Sequence, residues 1–575
     1  MTDSKAFAIN PVIDLVNIPF SRFGSFFVVS KYGDLAENPI YIRDVRRGDL
    51  DPGWLFQLEV YDDRDSIVEC GIGGTETELI LFSGQGAVHI IFPTENTIRI
   101  KTDGLFVKLS YVLSRYDTIF SRNDSTWELT SYSKEIRLGI QALEGNVELD
   151  APWESIGNRH ISISLKDRCD LVLESFKVVS KHEPGAVEDF DKTRERLTNE
   201  YCIWSSLHHL PNERYRKSVA LASYITWMNF VQPEGLLKRY AMYMSKNWMT
   251  NIWSWDNCFG AIFLAKKEPE LSFDQFMFFT DHQHISGMYP DFVNDVYASY
   301  SSAKPPIYAW AYQYMMRRNP LFCEADKLMA VYDTLSRFTE FWLNHRSTER
   351  GMPFYAHGNE SGWDNGTLYS QGVPVVTPDL CALLVHQMDF LATLANTLNK
   401  TQESKDWKQR ADELFRKMMA ELWHDDRFVA KLATTSKIIT GGDSLQALMP
   451  LIIGERLPIQ VKERLLDDLT DSSRFYSEFG LATEAMNSPL YQDNGYWRGP
   501  IWAPTMLMYI DMLHHLGETK NAYALAERFV NTIDQNGMAE NFDPKTGKGQ
   551  VDPCFAWTSS VFLTLLDDYP SENER

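Results

Sequence analysis

The chain has 575 residues, 44% hydrophobic and 23% charged, which is enough apolar material for two domains and too much for a lone peptide-binding module. Its 56 Lys and Arg against 78 Asp and Glu leave a net charge of −22 without a basic stripe, which argues against nucleic acid and anionic membranes as partners. The seven cysteines are dispersed with no CxxC pair, no His cluster has metal-ligand spacing, and no cofactor motif is present; reduced thiols and no metal are expected.

Met1 to Phe20 contains no apolar run of signal-peptide length, and no segment approaches the roughly 18 apolar residues of a membrane span, so the expected location is cytoplasmic. From about residue 20 to 180 the pattern alternates with period two, as in Phe56–Tyr61, Thr77–Phe82, Thr97–Thr102, Leu105–Ser110 and His160–Leu165. Short runs of Val, Ile, Thr, Tyr and Phe between Gly-rich turns predict an antiparallel β-sandwich over residues 1–182. A charged, helix-compatible stretch over 183–212 reads as a helical linker.

Beyond it the period becomes helical, with candidate helices near 213–231, 256–268, 272–285, 306–319, 322–345, 377–399, 401–423, 443–453, 459–468, 501–516, 519–534 and 557–567. Twelve helices, with long Gly/Trp/Pro-rich loops after alternate members, predict a toroid of six helical hairpins over 213–575. The overall expectation is a multidomain chain, an N-terminal antiparallel β-sandwich followed by an all-α barrel.

Aromatic residues make up 13% of the chain, including 16 Trp, many of them beside Gly, Asp, Asn and Pro. Aromatic faces in loops suit the apolar face of a sugar ring, the alternative being simple core filling. Four loops concentrate such residues: Asn251–Asn257, Asn359–Gly366, Gly495–Trp502 and Gly537–Gly547. Each mixes a carboxylate or Arg with Trp, Gly or Pro. Glycosidic cleavage needs two carboxyl groups on opposite sides of the anomeric carbon, one protonated and one ionised, and loops at one mouth of a helical toroid can supply both.

The segments Trp253-Ser-Trp-Asp256, Lys304-Pro-Pro306 with Trp310, Glu360-Ser-Gly-Trp-Asp364, Tyr496-Trp-Arg-Gly-Pro-Ile-Trp502 and Glu540-Asn-Phe-Asp-Pro-Lys-Thr-Gly547 resemble those of glycoside hydrolase family 63, in the clan it shares with the trehalases. The resemblance covers about residues 213–567. It implies an (α/α)6 barrel and inverting hydrolysis of α-glycosides without a metal in the chemistry. It places Asp364 as general acid and Glu540 as general base. It also implies that Asp256 and Trp253 hold the non-reducing sugar, that Lys304 occupies a polar pocket position that is Gln in some relatives, and that Trp310, Trp363, Trp497, Arg498, Trp502 and Trp557 wall the site.

For several of these positions a plainer reading stands beside the functional one. Asp364 also suits a turn or helix cap, Asp256 a cap of the helix that follows it, the tryptophans ordinary packing, and Glu360 support of the acid loop as well as substrate contact. Asp543 lies three residues from Glu540 and competes with it for the role of base. The segment 281–302, rich in His, Tyr, Phe and Asp, falls in a mouth loop. The Pro-Gly-Gly-Arg-Phe block of trehalases is missing, replaced by Tyr243-Met-Ser-Lys-Asn-Trp248, which disfavours trehalase activity.

The leading expectation is an inverting exo-acting α-glucosidase on a disaccharide or small glucoside. The alternative enzyme is a mannosylglycerate- or glucosylglycerate-type hydrolase, in which Lys304 or Arg498 meets the glycerate carboxylate. A catalytically inactive carbohydrate-binding barrel is the alternative from another class. The expected partner is a small carbohydrate, self-association is left open, and the β-region is expected to carry no catalytic group.

Overall fold

The computed structural model describes residues 14–31, 39–166, 168–180, 187–207 and 213–570. The chain divides into two compact units, Met1–Asn251 with Asn294–Val296, and Ile252–Val293 with Tyr297–Arg575.

In the first unit, a six-stranded sheet runs in the order Phe27–Lys31, Ile40–Asp44, Trp54–Tyr61, Phe106–Tyr111, Ser162–Leu165, Val147–Asp150. An eight-stranded sheet runs Gly71–Thr75, Glu78–Ser83, Gly86–Thr94, Thr97–Asp103, Asp170–Phe176, Ile136–Glu144, Thr126–Ser131, Thr118–Asn123. Neighbouring strands pair antiparallel, and inward residues of both sheets, among them Phe56, Leu58, Leu81, Ile90 and Leu138, form one buried cluster. Alternating strands with one apolar face each have only this way to hide it, so the two sheets form a sandwich.

Helix α1 (Phe190–Ser206) starts at Asp189, whose side chain accepts from the Asp191 and Lys192 amides, and α2 (Arg216–Met228) follows it. Both helices belong to the first unit. The compact boundary therefore lies at 251/252 and not at 212/213, and the sequence-derived helix at 213–231 goes with the sandwich. Of the expected linker, residues 183–186 and 208–212 lie outside the described residues.

The second unit contains α3 (Asn257–Leu264), α4 (Pro269–Met277), α5 (Tyr308–Arg318), α6 (Ala325–His345), α7 (Pro378–Thr397), α8 (Thr401–Leu422), α9 (Ile459–Thr470), α10 (Ala503–His515), α11 (Thr519–Asn536) and α12 (Ala556–Asp568). A 3-10 helix spans Leu445–Ile453 where the sequence pattern suggested an ordinary helix. Pro450 inside it supplies no amide hydrogen, and the tighter winding is kept.

Helices α3, α5, α7, the 3-10 helix, α10 and α12 form a ring that closes where α12 packs on α3; Tyr509 of α10 donates to the Leu445 carbonyl of the 3-10 helix. The ring helices are apolar around nearly their whole circumference: every residue of α3 is buried, and so is α12 from Ala556 to Leu565. Their hydroxyls bond back into their own helices, as Ser559 does to Phe555 and Thr564 to Ser560. Helices α4, α6, α8, α9 and α11 alternate with them outside the ring. In α8, for example, only Trp407, Ala411, Leu414, Met418 and Leu422 are buried, an i, i+4, i+7 stripe. A ring of six inner helices with outer helices between them is the pattern of an (α/α)6 barrel; α2, the helix next before α3 in the chain, is counted with the first unit.

The loops that lead into the N-termini of the ring helices share one rim. Those before α3, α7, α10 and α12 are the four that the sequence singled out.

Candidate active site

Five segments build the site. Ile252–Trp253 pairs with Phe292–Val293, which in turn pairs with Ala298–Ser299, and the Ser254 amide donates to the Asp291 carbonyl at 2.9 Å. This small sheet carries Trp253 and Asp291 and delivers the chain into α3 at Asp256. Ile501–Trp502 pairs with Asn541–Phe542, so the loop before α10 is joined to Glu540. The fifth segment, the acid loop before α7, is pinned from behind. Glu360 accepts from the Arg346 guanidinium at 3.2 Å, the Ala303 amide at 3.5 Å and the Ala356 amide at 2.5 Å. Glu360 therefore supports the loop; its oxygens are already occupied by protein donors.

Asp364 follows directly. Asn365, beside it, donates to the Gly495 carbonyl (3.0 Å), accepts from the Trp497 amide (3.0 Å), and gives its own carbonyl to Arg498 Nε (2.8 Å). One residue before Trp497, the Tyr496 hydroxyl donates to Glu540 Oε1 at 3.1 Å. Tyr496 adopts a left-handed backbone, φ 61°, a conformation of order 1–3 kcal/mol above ordinary ones for a non-glycine residue. In this conformation its hydroxyl reaches Glu540. Asp364 and Glu540 thus arrive on two different loops and are linked through the 495–498 turn.

Asp256 does not cap α3: no side-chain capping bond is made. Its Oδ2 is buried and has no hydrogen-bond partner among the described residues. A buried acceptor left open in this way is a costly feature that a ligand hydroxyl would satisfy. The Asp543 carboxylate accepts from the Lys545 and Thr546 amides in a turn of its own, whereas Glu540 is buried against Tyr496.

Burial lifts all three carboxyls. Asp256 is pushed up to about 7 by desolvation, with Lys304 opposing. Asp364 is raised by burial, again against Lys304 and with help from the Asp291 charge. Glu540 is pushed up to about 8 by burial and by neighbouring Asp552, while the Tyr496 hydrogen bond works the other way.

The wall is a tryptophan cluster. Trp497 and Trp502 stack with centroids 3.9 Å apart and 5° between planes; Trp363 lies 5.1 Å from Trp497, and Trp557 lies 5.5 Å from Trp502. These four rings are buried against one another and against Trp255, so they form the back of the site and do not offer open stacking faces. Trp253, by contrast, is half-buried.

One sequence-derived placement needs correction. Trp310 lies three residues into α5, and its indole N–H donates to Asp511 Oδ2 of α10 at 2.7 Å; it lines a separate cavity with Arg317, His386 and His515. Lys304 is buried, and its ammonium already donates to the Asn359 carbonyl (2.9 Å) and Oδ1 (2.6 Å) and pairs with Asp291 (3.3 Å). It therefore lies among the carboxyls of the site, and its charge acts on both Asp256 and Asp364.

The sequence reading did not name Asp291, Asn359, Tyr496 or Trp255 as site residues. A buried Lys demands a carboxylate, and the polar segment 281–302 was the place to look for it. Among the described residues, no group of three or more His, Cys, Asp or Glu is arranged to hold a metal ion. None of the described helices is long and apolar enough to cross a membrane.

A helical barrel whose rim gathers buried, raised carboxyls before a tryptophan wall has the architecture of a glycoside hydrolase. Residues 249–558 match the model of the mannosylglycerate hydrolase MGH1-like glycoside hydrolase domain, more than half of the chain, and the chain belongs to that family. A periplasmic trehalase of Xanthomonas campestris pv. campestris (strain 8004) is 28% identical over 245 residues, 37% of this chain and 40% of the trehalase. The match thus spans about two fifths of that relative's length.

Among solved structures, the GH63 mannosylglycerate hydrolase from Thermus thermophilus in complex with glucose superposes with a TM-score of 0.51 at 20% identity, over 60% of this chain and 98% of that one. A bacterial glucoamylase complexed with acarbose gives 0.61 at 10% identity, over 98% and 97% of the two chains. At these identities the likeness is one of fold.

Proposed function

We propose that this protein hydrolyses an α-glycosidic bond at the non-reducing end of a small glucoside, with inversion at the anomeric carbon. The observation that carries the reading is the pair of buried carboxyls, Asp364 and Glu540, on loops joined through Asn365 and Tyr496, beside the open acceptor of Asp256. In this reading Asp364, kept protonated by burial, gives its proton to the leaving oxygen. Glu540 takes a proton from the attacking water in its ionised form, which burial disfavours and the hydrogen bond from the Tyr496 hydroxyl favours. Asp256 accepts a sugar hydroxyl, and Trp253 covers the ring. Rejection of the wrong epimer then follows from leaving the Asp256 oxygen unpaired. The glucose complex of the Thermus relative supports a hexose in such a pocket.

A second reading has one observation in its favour. Arg498 is half exposed beside the acid loop, and among the described residues its terminal nitrogens make no hydrogen bond or ion pair, leaving a cation for a carboxylate-bearing aglycone of the glycerate type.

The test follows product anomers by NMR on a panel of α-linked glucose and mannose disaccharides and glycerate glycosides. The expected first product from an α-glucoside is the β-anomer; an α-anomer formed first overturns inversion. Asp364→Asn and Glu540→Gln should each lose at least ~100-fold in turnover while remaining folded, the scale of general acid or base assistance. Near-normal turnover by either purified variant removes that residue from the mechanism.

A further inference from the structure

Lys304, Asp291 and Asn359 close a ring of contacts. The ammonium holds both oxygens of Asn359, at 2.9 and 2.6 Å, and lies 3.3 Å from Asp291 Oδ1, while Asn359 Nδ2 donates to Asp291 Oδ2 at 3.1 Å. Every member has a backbone link to a different site segment. Asp291 is tied to Ser254, two residues before Asp256. Asn359 is on the acid loop, five residues before Asp364. Lys304 follows Ala303, whose amide meets Glu360. Lys304 and Asp291 are both buried, at 4% exposure each, so their charges act on the surroundings with little screening.

We propose that Lys304 and Asp291 form a charge-neutral clasp. Its ammonium fixes the acid loop through Asn359, and its carboxylate masks that ammonium from Asp364, so that the acid keeps its proton. Both are positioning residues; neither needs to touch the sugar. The inference rests on the reading of Asp364 as general acid.

The electrostatics agree with the geometry. Lys304 exerts the largest charge effect on Asp364 and favours its ionised form, and Asp291 opposes it. The other groups facing this cluster are Asp256 at the start of α3, His357 on the acid loop, and Tyr496, on which the charges of Glu540, Asp364 and Asp256 all act. An unmasked ammonium among these carboxyls would pull Asp364 toward ionisation. The acid would then be spent at the pH where it is needed.

The test is the pH dependence of kcat/KM for an alkyl glucoside in the full-length protein. The Asp364 limb is identified as the one that flattens with a 4-nitrophenyl glucoside, whose leaving group needs little protonation. In Asp291→Asn the ammonium is unmasked, and that limb should move down by about one pH unit or more. The double variant Lys304→Met with Asp291→Asn removes both charges, so its limb should return to within a few tenths of a unit of wild type. Its kcat should stay low because the tie to Asn359 is gone.

A merely structural pair would lower kcat in both variants and leave the limb in place in both; that result overturns the inference. If Asp291→Asn does not fold, a limb displaced by a unit or more in the double variant overturns it equally. A fully active Asp364→Asn would sink the parent reading instead, so the two failures are distinguishable.

Discussion

Glu540 carries two opposing demands. It must ionise to act as a base, yet burial beside Asp552 lifts its carboxyl from 4.5 to about 8. Asp364 is raised as well, so both limbs of the pH profile of kcat/KM should lie above the ordinary carboxylate range; as a coupled set, the carboxyls yield limbs that belong to the cluster. The same shift sets a stability cost. A carboxyl whose folded-state pKa is raised adds no penalty below pH 4.5, and its ionised form weighs fully against folding above pH 8. Glutamine at 540 has no charge to bury. Glu540→Gln should therefore melt at least about 2 °C higher than wild type at pH 9 and at nearly the same temperature at pH 4, measured by calorimetry. An equal or lower melting temperature at pH 9 would show that Glu540 is not penalised in the fold.

The acid loop depends on residues too small to be replaced. Gly362 has φ +76°, and a Cβ there would lie 2.7 Å from the Trp255 indole, one of the rings behind the site. Gly362→Ala should push the loop and Asp364 away from Glu540, with a loss of ~100-fold in kcat, the scale of a displacement of about 1 Å at a reacting group. Gly517, at φ +83° between α10 and α11, has nothing within 4 Å. Gly517→Ala should cost stability, about 1–2 kcal/mol of left-handed strain, and leave kcat in place. Equal kcat losses in the two variants would show that strain alone, and not contact with Trp255, governs the loop.

Much at this scale was legible in the sequence, because helical period and Trp/Gly loops are local signals; each candidate segment from 213 onward contains a helix, with 445–453 wound as 3-10 around Pro450 and the 272–285 candidate passing into a 3-10 turn at Phe278–His282. The Lys304–Asp291–Asn359 ring was not legible. Its members come from separate stretches, and only the fold decides that a lysine in a Pro-rich turn faces Asp291 and not solvent. Trp310 misled for the same reason: a motif records that an indole is present, not which side of a ring helix carries it.

The molecule as a whole carries −22, a total that includes the pocket carboxyls Asp256, Asp291, Asp364 and Glu540, and the Lys304 ammonium beside them is already paired with Asp291. Such a field is indifferent to neutral glucosides and repels anionic ones, so any preference for a glycerate-type aglycone has to be created locally, and Arg498 is the cation placed to create it. Two measurements separate the readings. For a neutral α-glucoside, kcat/KM should be indifferent to salt between about 20 and about 200 mM, and Arg498→Ala should change KM by less than about threefold. For a glycerate glycoside, kcat/KM should rise with salt as the repulsion is screened over a Debye length of about 10 Å at 0.1 M. If Arg498 does grip a carboxylate, Arg498→Ala should raise KM for that substrate at least tenfold, the equivalent of about 1.4 kcal/mol, and leave the neutral one alone. A glycerate glycoside turned over faster than every neutral glucoside, with kcat/KM falling as salt rises, would transfer the assignment to the glycerate reading; equal sensitivity of both substrates to Arg498→Ala would show instead that the guanidinium serves only to hold Asn365 and the acid loop.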